Sequence, residues 1–150
     1  TMSNSEEALK YFATYAGLVT VKMMMLGPLT GFYRTRDSAY ANEEDFVLTG
    51  LKDRRPVFNH PMIERIRRCS LNDLENIVPF VIIGGLFAVF SGSPLSTILW
   101  HYRIFVASRF LHSISYLIPL PQPSRALCYF VGISTNLSMA IRLLMNTWFL

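Results

Sequence analysis

Ile63–Phe80 reads IERIRRCSLNDLENIVPF, a stretch that begins with charged residues and ends in an apolar run. At about 100° per residue, a helix through it places two cations, an amide and a carboxylate on one face: Arg65, Arg68, Asn72 and Glu75. A charge run is usually a solvated face. Glu75, however, is followed by the apolar residues 77–83, where a charge needs a partner or a water-filled cavity. The stretch therefore predicts a helix that enters a membrane and carries a functional polar face.

The composition indicates an integral membrane protein. The chain is 51% hydrophobic and 16% charged, whereas soluble domains hold about 25% charged residues. Its 150 residues allow one domain over 1–150. Two cysteines, Cys69 and Cys128, are too few for a disulfide framework, so we expect reduced thiols. Glu6 and Glu7 stand where a basic n-region would be, so no cleavable signal peptide is expected.

Four apolar stretches are each close to the ~20 residues that cross a bilayer: about 8–32, 63–90, 95–117 and 124–148. Backbone polar groups in lipid must be satisfied within their own segment, which predicts that each stretch is a helix. Hydropathy alone makes the third stretch a doubtful span because of four side chains: His101, Arg103, Arg109 and His112. The predicted fold is an all-α integral membrane protein, built as a bundle of four transmembrane helices.

The connections between these stretches differ in charge and predict an orientation. Most of the Lys and Arg side chains lie in the long connection, about 33–62, and in the helix start that follows it. The positive-inside rule places this connection in the cytosol and both termini in the lumen. Ser91–Pro94 predicts a tight turn. Pro119–Ser124 predicts a rigid connector in which Ser124 caps the last helix.

Two further polar stripes repeat the pattern of the first. Arg109, His112 and Tyr116 share a face of the third stretch at the spacing i, i+3 and i+7. One face of the fourth stretch carries Arg125, Tyr129, Gly132 and Asn136. Each residue alone has an ordinary explanation: a snorkelling arginine, a core histidine or an aromatic belt. Because the predicted orientation brings all three stripes to one depth near the cytosolic face, together they favour a binding site.

The residue types in these stripes suggest a ligand class. Several arginines suit carboxylates in bidentate geometry, and a lone Glu75 suits an ammonium group. A small zwitterion with two carboxylates and one amine fits, and glutathione is one such molecule. Phosphate is a weaker candidate because no glycine-rich cradle is present. No metal is expected, since the three histidines lack ligand spacing.

Longer motifs make the chain similar to a known family. They read E-R-x-R-R-x-x-x-N-D-L-E-N-I-x-P-F over 64–80, R-x-x-H-x-x-x-Y-L over 109–117 and P-L-P-Q-P-x-R-A-L over 119–127. This order closely resembles the membrane-associated eicosanoid and glutathione metabolism (MAPEG) family, and within it the branch of microsomal glutathione transferases. The resemblance implies a homotrimer in the endoplasmic reticulum membrane, with the mitochondrial outer membrane as the alternative. It also implies that glutathione binds between subunits near the cytosolic face, is conjugated to lipophilic electrophiles and reduces lipid hydroperoxides.

The resemblance also implies site residues, carried over position by position. The expected glutathione-binding residues are Arg34, Arg68, Asn72, Glu75, Arg109, His112, Tyr116, Arg125 and Tyr129. Arg125 matches the arginine thought to hold the thiolate, and it is the expected catalytic residue. Ala126 and Leu71 depart from the prostaglandin E synthase branch, which has a serine and an arginine there. Phe46 stands where some transferases carry a cysteine, which puts regulation by a thiol in doubt. Prostaglandin E synthase, a non-catalytic lipid-binding scaffold and a transporter remain the alternatives.

Overall fold

The computed structural model describes residues 4–51 and 54–148. Within these residues every regular element is a helix, which confirms the all-α prediction. The helices are α1 (Asn4–Met24), α2 (Leu26–Arg36), α3 (Glu43–Leu48), α4 (Pro61–Phe90), α5 (Leu95–Leu117) and α6 (Ser124–Thr147).

The first apolar stretch is two helices rather than the single predicted one. α1 ends at Met24 and α2 begins at Leu26, with only Met25 between them. Pro28 lies in the first turn of α2, where its missing backbone N–H is tolerated but cannot continue the bonding ladder of α1. The chain keeps its direction across the break, because Leu29 donates a backbone hydrogen bond to Met25 over 3.2 Å.

Three helical segments among the described residues are long and apolar enough to cross a membrane: 4–36, 61–90 and 124–147. α5 is 23 residues long, but its charged and histidine side chains lower its hydropathy. It nevertheless contacts α1, α4 and α6 and buries Tyr102, Phe105 and Arg109. α5 is therefore packed as a full member of the bundle, and its crossing of the bilayer as a fourth span stays a prediction.

An aromatic cluster holds α1, α4 and α5 together. Phe80 and Phe105 stack with ring centroids 4.1 Å apart, and the Tyr102 hydroxyl donates to the carbonyl of Gly84 over 2.8 Å. Phe12 of α1 packs directly on the α4 backbone, since a Cβ at Gly84 would lie 3.1 Å from its ring. Glycine at this position therefore sets how closely α1 approaches α4.

A buried ion pair joins α1 to α4 inside the bundle. Lys22 donates to Asp73 Oδ2, and both side chains are nearly inaccessible. One turn away, Cys69 Sγ and Ser113 Oγ lie 3.3 Å apart. Charges in a membrane interior are costly unless they are paired. The pair explains how the apolar stretch around Lys22 tolerates its charge, and neither partner was among the predicted functional residues.

The long connection between α2 and α4 is packed and partly helical. Phe46 of α3 is buried against Tyr40, with ring centroids 5.3 Å apart. Asp37 follows α2 and pairs with Arg36 at 2.7 Å and His60 at 3.2 Å. The hydrogen bond from Arg36 lowers the pKa of the Asp37 carboxyl. These contacts tie the end of α2 to the start of α4.

The predicted capping role of Ser124 is wrong. α6 begins at Ser124 itself, Pro123 occupies the N-cap position, and no side chain caps the helix. The Ser124 hydroxyl instead donates to the carbonyl of Pro121 over 2.7 Å. Pro123 cannot donate a backbone hydrogen bond, and its ring ends the connector where the helix starts. Arg125 consequently lies in the first turn of α6.

Candidate functional site

A cavity of about 310 Å³ opens where α4, α5 and the start of α6 meet. Polar and aromatic side chains from the three predicted stripes form its wall: Asn72, His112, Tyr116, Arg125 and Tyr129. The other lining residues are Gln122, Ala126 and Phe130. The structure thus brings part of each predicted stripe together in one place.

Arg125 is the cation of this cavity. Its guanidinium carbon lies 5.0 Å from the ring centroid of Tyr116, a cation–π contact worth about 0.5–1 kcal/mol at a partly exposed site. Arg125 Nε is buried and has no hydrogen-bond partner among the described residues. The first turn of α6 adds the positive end of a helix dipole. The unpaired Nε and the helix dipole favour an anion at the cavity, and the Tyr116 ring holds the guanidinium in place.

His112 adds a second unsatisfied polar atom beside Arg125. Its ring packs on Tyr116 with centroids 5.6 Å apart. The Nδ1 atom is buried and makes no hydrogen bond within the part of the chain described. Buried polar atoms in proteins are nearly always paired with protein, water or ligand. Within the described residues, His112 Nδ1 therefore lacks the hydrogen bond expected of an ordinary core histidine.

Arg109 lies behind the cavity and is bound by the protein itself. It is fully buried, donating from Nη1 to Asn72 Oδ1 over 3.1 Å and from Nη2 to the carbonyl of Cys128 over 2.7 Å. Gly132 packs on the guanidinium, because a Cβ there would lie 2.6 Å from Nη2. Arg109 therefore does not snorkel to the interface: it joins α5 to α4 and α6.

The fourth stripe divides between two roles. Arg125 and Tyr129 line the cavity, whereas Gly132 and Asn136 are buried between helices. Asn136 donates to the backbone carbonyl of Asn76 over 2.9 Å, which fixes α6 against α4. The N-terminal half of this stripe thus lines the cavity, and the C-terminal half packs between helices.

Arg68 and Glu75 lie outside the cavity, on the outward face of α4. Glu75 makes no hydrogen bond or ion pair with any described residue. It stands among exposed apolar side chains: Leu71, Leu74 and Val78. A carboxylate on such a face needs a partner if the helix crosses a membrane. The structure of one chain does not supply that partner.

Arg34 lines a separate cavity of about 300 Å³ between α2, the long connection and α4. Its Nε is also buried without a partner among the residues described. Because this cavity is separate from that of Arg125, one chain alone does not bring Arg34 to Arg125.

The first polar face of α4 also divides between two roles. Arg65 donates to the backbone carbonyl of Tyr116 over 3.1 Å and anchors the end of α5.

Some features of the site were not anticipated from the sequence. Gln122 and Phe130 line the Arg125 cavity although neither was a predicted site residue. The available signal was that Gln122 lies in the proline-rich connector and Phe130 follows Tyr129 directly in α6. Over residues 4–51 and 54–148, no three His, Cys, Asp or Glu side chains lie close enough to hold a metal ion.

Comparison with known proteins gives the relationship of this chain. The MAPEG family pattern matches residues 12–145. Microsomal glutathione S-transferase 1 of Homo sapiens is 44% identical over 152 residues, covering 100% of this chain and 97% of that protein. The Rattus norvegicus protein of the same name is 47% identical over 146 residues, covering 96% and 94%. Prostaglandin E synthase of Macaca fascicularis is more distant, at 31% over 147 residues, covering 96% and 93%. The predicted family is confirmed: a match that runs from α1 into α6 means that the chain belongs to the MAPEG family.

Proposed function

We propose that this protein is a membrane-bound transferase that conjugates the thiolate of glutathione to lipophilic electrophiles. The relatives named microsomal glutathione S-transferase 1, which match nearly the whole chain at 44–47% identity, support this activity. The single observation that carries the proposal is the Arg125 cavity. Around a space that could hold a small ligand, it presents an imidazole, an aromatic ring and the Arg125 guanidinium, whose Nε has no partner among the described residues.

Arg125 would act on the thiol of glutathione. A free thiol has a pKa of about 8.5 and is only a few per cent ionised at pH 7. A guanidinium beside the sulfur favours the thiolate and lowers the thiol pKa. A decrease of about 2 units, near 2.7 kcal/mol, makes the thiolate the majority form. The thiolate sulfur then attacks the electrophilic carbon, the leaving group departs with its bonding electrons, and the thiol proton passes to water.

The remaining predicted residues would hold the peptide part of glutathione. The exposed guanidinium of Arg68 is suited to a carboxylate and the exposed carboxylate of Glu75 to the amine. His112, Tyr116 and Tyr129 line the cavity and can donate or accept hydrogen bonds. Arg109 would position Asn72, since it already donates to the Asn72 side chain. No step in this scheme requires a metal.

A homotrimer would complete the site. Arg34 lies in a different cavity from Arg125, and Arg68 and Glu75 are directed away from the helices of their own chain. A neighbouring subunit that covers this face of α4 shields Glu75 from lipid and can place its Arg34 cavity beside the Arg125 cavity. Each glutathione would then contact two chains.

The same thiolate supports a peroxidase activity on lipid hydroperoxides. The sulfur attacks the terminal oxygen, the O–O bond breaks, and the lipid leaves as its alcohol. A second glutathione then attacks the resulting sulfenic acid, releasing water and glutathione disulfide. The membrane would deliver both kinds of apolar substrate, and holding the reactants together would supply much of the rate. The proposed location is the endoplasmic reticulum membrane, or alternatively the mitochondrial outer membrane, with the long connection cytosolic and the termini lumenal.

Prostaglandin E synthase is the second candidate within the family. Its supporting observation is the 31% identity to the Macaca fascicularis synthase. Against it, Ala126 lines the cavity next to Arg125 and supplies no hydroxyl there. Leu71 is likewise apolar and exposed on α4. A non-catalytic lipid-binding scaffold would not require a cation in this cavity, so Arg125 argues against that alternative.

The test is turnover by the purified protein in detergent. The protein is given glutathione with a generic aryl halide, a lipid hydroperoxide or a prostaglandin endoperoxide, side by side. We expect conjugation of the aryl halide and reduction of the hydroperoxide to exceed endoperoxide isomerisation. Turnover that favours the endoperoxide would replace the transferase with the synthase, and no glutathione consumption with any substrate would favour a scaffold.

A further inference from the structure

A third cavity, of about 750 Å³, lies at the opposite end of α6 from Arg125, beside the turn that joins α4 to α5. Its lining residues are Ser91, Ser93, Ser134, Leu137, Ser138, Ile141, Arg142, Met145 and Asn146. Arg142 and Arg125 are separated by about 25 Å along the α6 axis, at about 1.5 Å per residue. This third cavity is therefore distinct from the Arg125 cavity.

Arg142 is the charged group of this far cavity. Its side chain is exposed, and it makes no hydrogen bond or ion pair with any residue that the structure describes. Four hydroxyl side chains line the same cavity: Ser134 and Ser138 on α6, and Ser91 and Ser93 in the turn. The Ser138 hydroxyl also lies 3.0 Å from His101 Nε2. Arginine and hydroxyl donors together form the usual set for a phosphate oxygen. Among the described residues that line it, the wall carries a positive charge and no acidic side chain.

The same wall of α6 also carries an apolar stripe. Leu137, Ile141 and Met145 follow one another at every fourth residue and are 59%, 48% and 78% exposed. They lie beside Ser134, Ser138 and Arg142, which repeat at the same spacing. One face of the helix is thus polar and cationic while its neighbour is hydrocarbon. An amphiphile with an anionic head and an alkyl chain complements both.

The position of the cavity suits a lipid head. The α4–α5 turn must lie at the membrane surface if both helices are spans, and Asn146 holds α6 to that turn by donating to the carbonyl of Phe90 over 2.8 Å. Arg142 lies about 7 Å before the end of α6 along its axis. If α6 ends at the membrane surface, this depth places the guanidinium at the boundary between headgroups and acyl chains.

We propose that this cavity binds a membrane phospholipid of net negative charge. Arg142 and the hydroxyls of the α4–α5 turn hold the phosphate, and the first part of an acyl chain lies along Leu137, Ile141 and Met145. The inference needs only a membrane-embedded protein and does not depend on the transferase activity.

The test compares Arg142→Gln with Arg103→Gln in otherwise intact protein. Arg103 is an exposed arginine of α5 in the same half of the bundle, but it lies outside the cavity and donates to the Tyr15 hydroxyl. Delipidated protein in detergent is titrated with phosphatidylglycerol or phosphatidylcholine and followed by native mass spectrometry. We expect wild type and Arg103→Gln to retain phosphatidylglycerol in preference to phosphatidylcholine. Arg142→Gln should bind it about tenfold more weakly, the loss expected for one charge-assisted hydrogen bond, and Arg142→Lys should recover part of the loss.

Further arms distinguish the source of the phosphate. Glycerol 3-phosphate, which has the head without the chain, should compete weakly. Equal binding of glycerol 3-phosphate would identify a soluble phosphate compound instead of a lipid and overturn the proposal. Unchanged phosphatidylglycerol binding by Arg142→Gln would mean that Arg142 only snorkels to water. Dissociation of the oligomer on this substitution, with lipid binding retained, would assign the cavity to a subunit contact.

Discussion

At the scale of single residues, the same side-chain type takes three different roles in this protein. Arg109 is buried and donates to Asn72 and Cys128, Arg125 faces an open cavity with an unsatisfied Nε, and Arg142 is exposed at the far end of α6. Burial and existing partners decide which guanidinium is free for a ligand. Arg109 is accordingly a positioning residue, and Arg125 is the residue we assign to the sulfur.

Glu75 supplies a test at this scale. If its carboxylate receives the amine of glutathione, Glu75→Gln keeps the shape and loses a charge-assisted hydrogen bond, typically worth about 1.5–3 kcal/mol. We expect the affinity for glutathione, measured by calorimetry, to fall at least about tenfold while thermal stability is unchanged. An affinity equal to that of the wild type, together with a lower melting temperature, would make Glu75 a structural partner within the assembly.

At the scale of the elements, the docking of α6 depends on one missing side chain. A Cβ at Gly132 would lie 2.6 Å from Arg109 Nη2 and 2.9 Å from Cζ. The guanidinium cannot withdraw without giving up its bonds to Cys128 and Asn72. Gly132 therefore lets α6 approach α5 closely enough to place Arg125 and Tyr129 beside His112.

Gly132→Ala tests this docking, with Gly17→Ala as the matched control. Gly132→Ala should lower the melting temperature and weaken glutathione binding, because α6 shifts and Asn72 loses its donor. A Cβ at Gly17 meets nothing within 4 Å, so its replacement should be neutral or stabilise α1 by up to about 1 kcal/mol, the helix propensity difference between glycine and alanine. Equal effects at both positions, read by thermal unfolding and calorimetry, would show that Gly132 has no special packing role.

The long helices α4, α5 and α6 could be predicted from the sequence, while the contacts between the helices could not. Long apolar runs determine that these segments are helical, and the 3.6-residue period determines which side chains share a face. That period does not say which neighbouring helix a face meets. The Lys22–Asp73 pair and the bond from Arg109 to the Cys128 carbonyl join residues distant in sequence, so only tertiary packing reveals them. The break at Met25 depends on Pro28, whose effect on a helix varies with its position.

The candidate site was predictable in part for the same reason. The stripes correctly grouped His112 with Tyr116, and Arg125 with Tyr129, because these pairs lie on single helices. The fourth stripe also grouped Gly132 and Asn136 with the residues that line the cavity, although both are buried between helices. Arg34 and Glu75 came from the family resemblance and the charge pattern, and their joining to Arg125 requires an assembly that one chain does not contain.

At the scale of the whole molecule, the proposed trimer predicts complementation between inactive subunits. If Arg34 of one chain completes the Arg125 site of its neighbour, homogeneous Arg34→Ala and Arg125→Ala proteins should each be nearly inactive. Co-expressed trimers that contain both kinds of subunit should recover conjugating activity, since some interfaces then pair an intact Arg34 with an intact Arg125. The control is a mixture of the two homogeneous mutant proteins, purified separately, in which no mixed trimers form. A monomer in native mass spectrometry with full glutathione affinity, or no recovery in mixed trimers, would contradict the shared site.

The most direct test of the central claim is the ultraviolet absorbance of enzyme-bound thiolate, measured as a function of pH for wild type and Arg125→Ala. The account predicts a strong thiolate signal at pH 7 in the wild type. In Arg125→Ala, glutathione should still bind, but its thiol pKa should rise towards the free value of about 8.5. The signal and the conjugation rate should then be lost at pH 7 and recover in alkali, with Arg125→Lys intermediate. An Arg125→Ala protein that keeps both its thiolate signal and its rate at pH 7 would contradict the assignment of Arg125 to the sulfur.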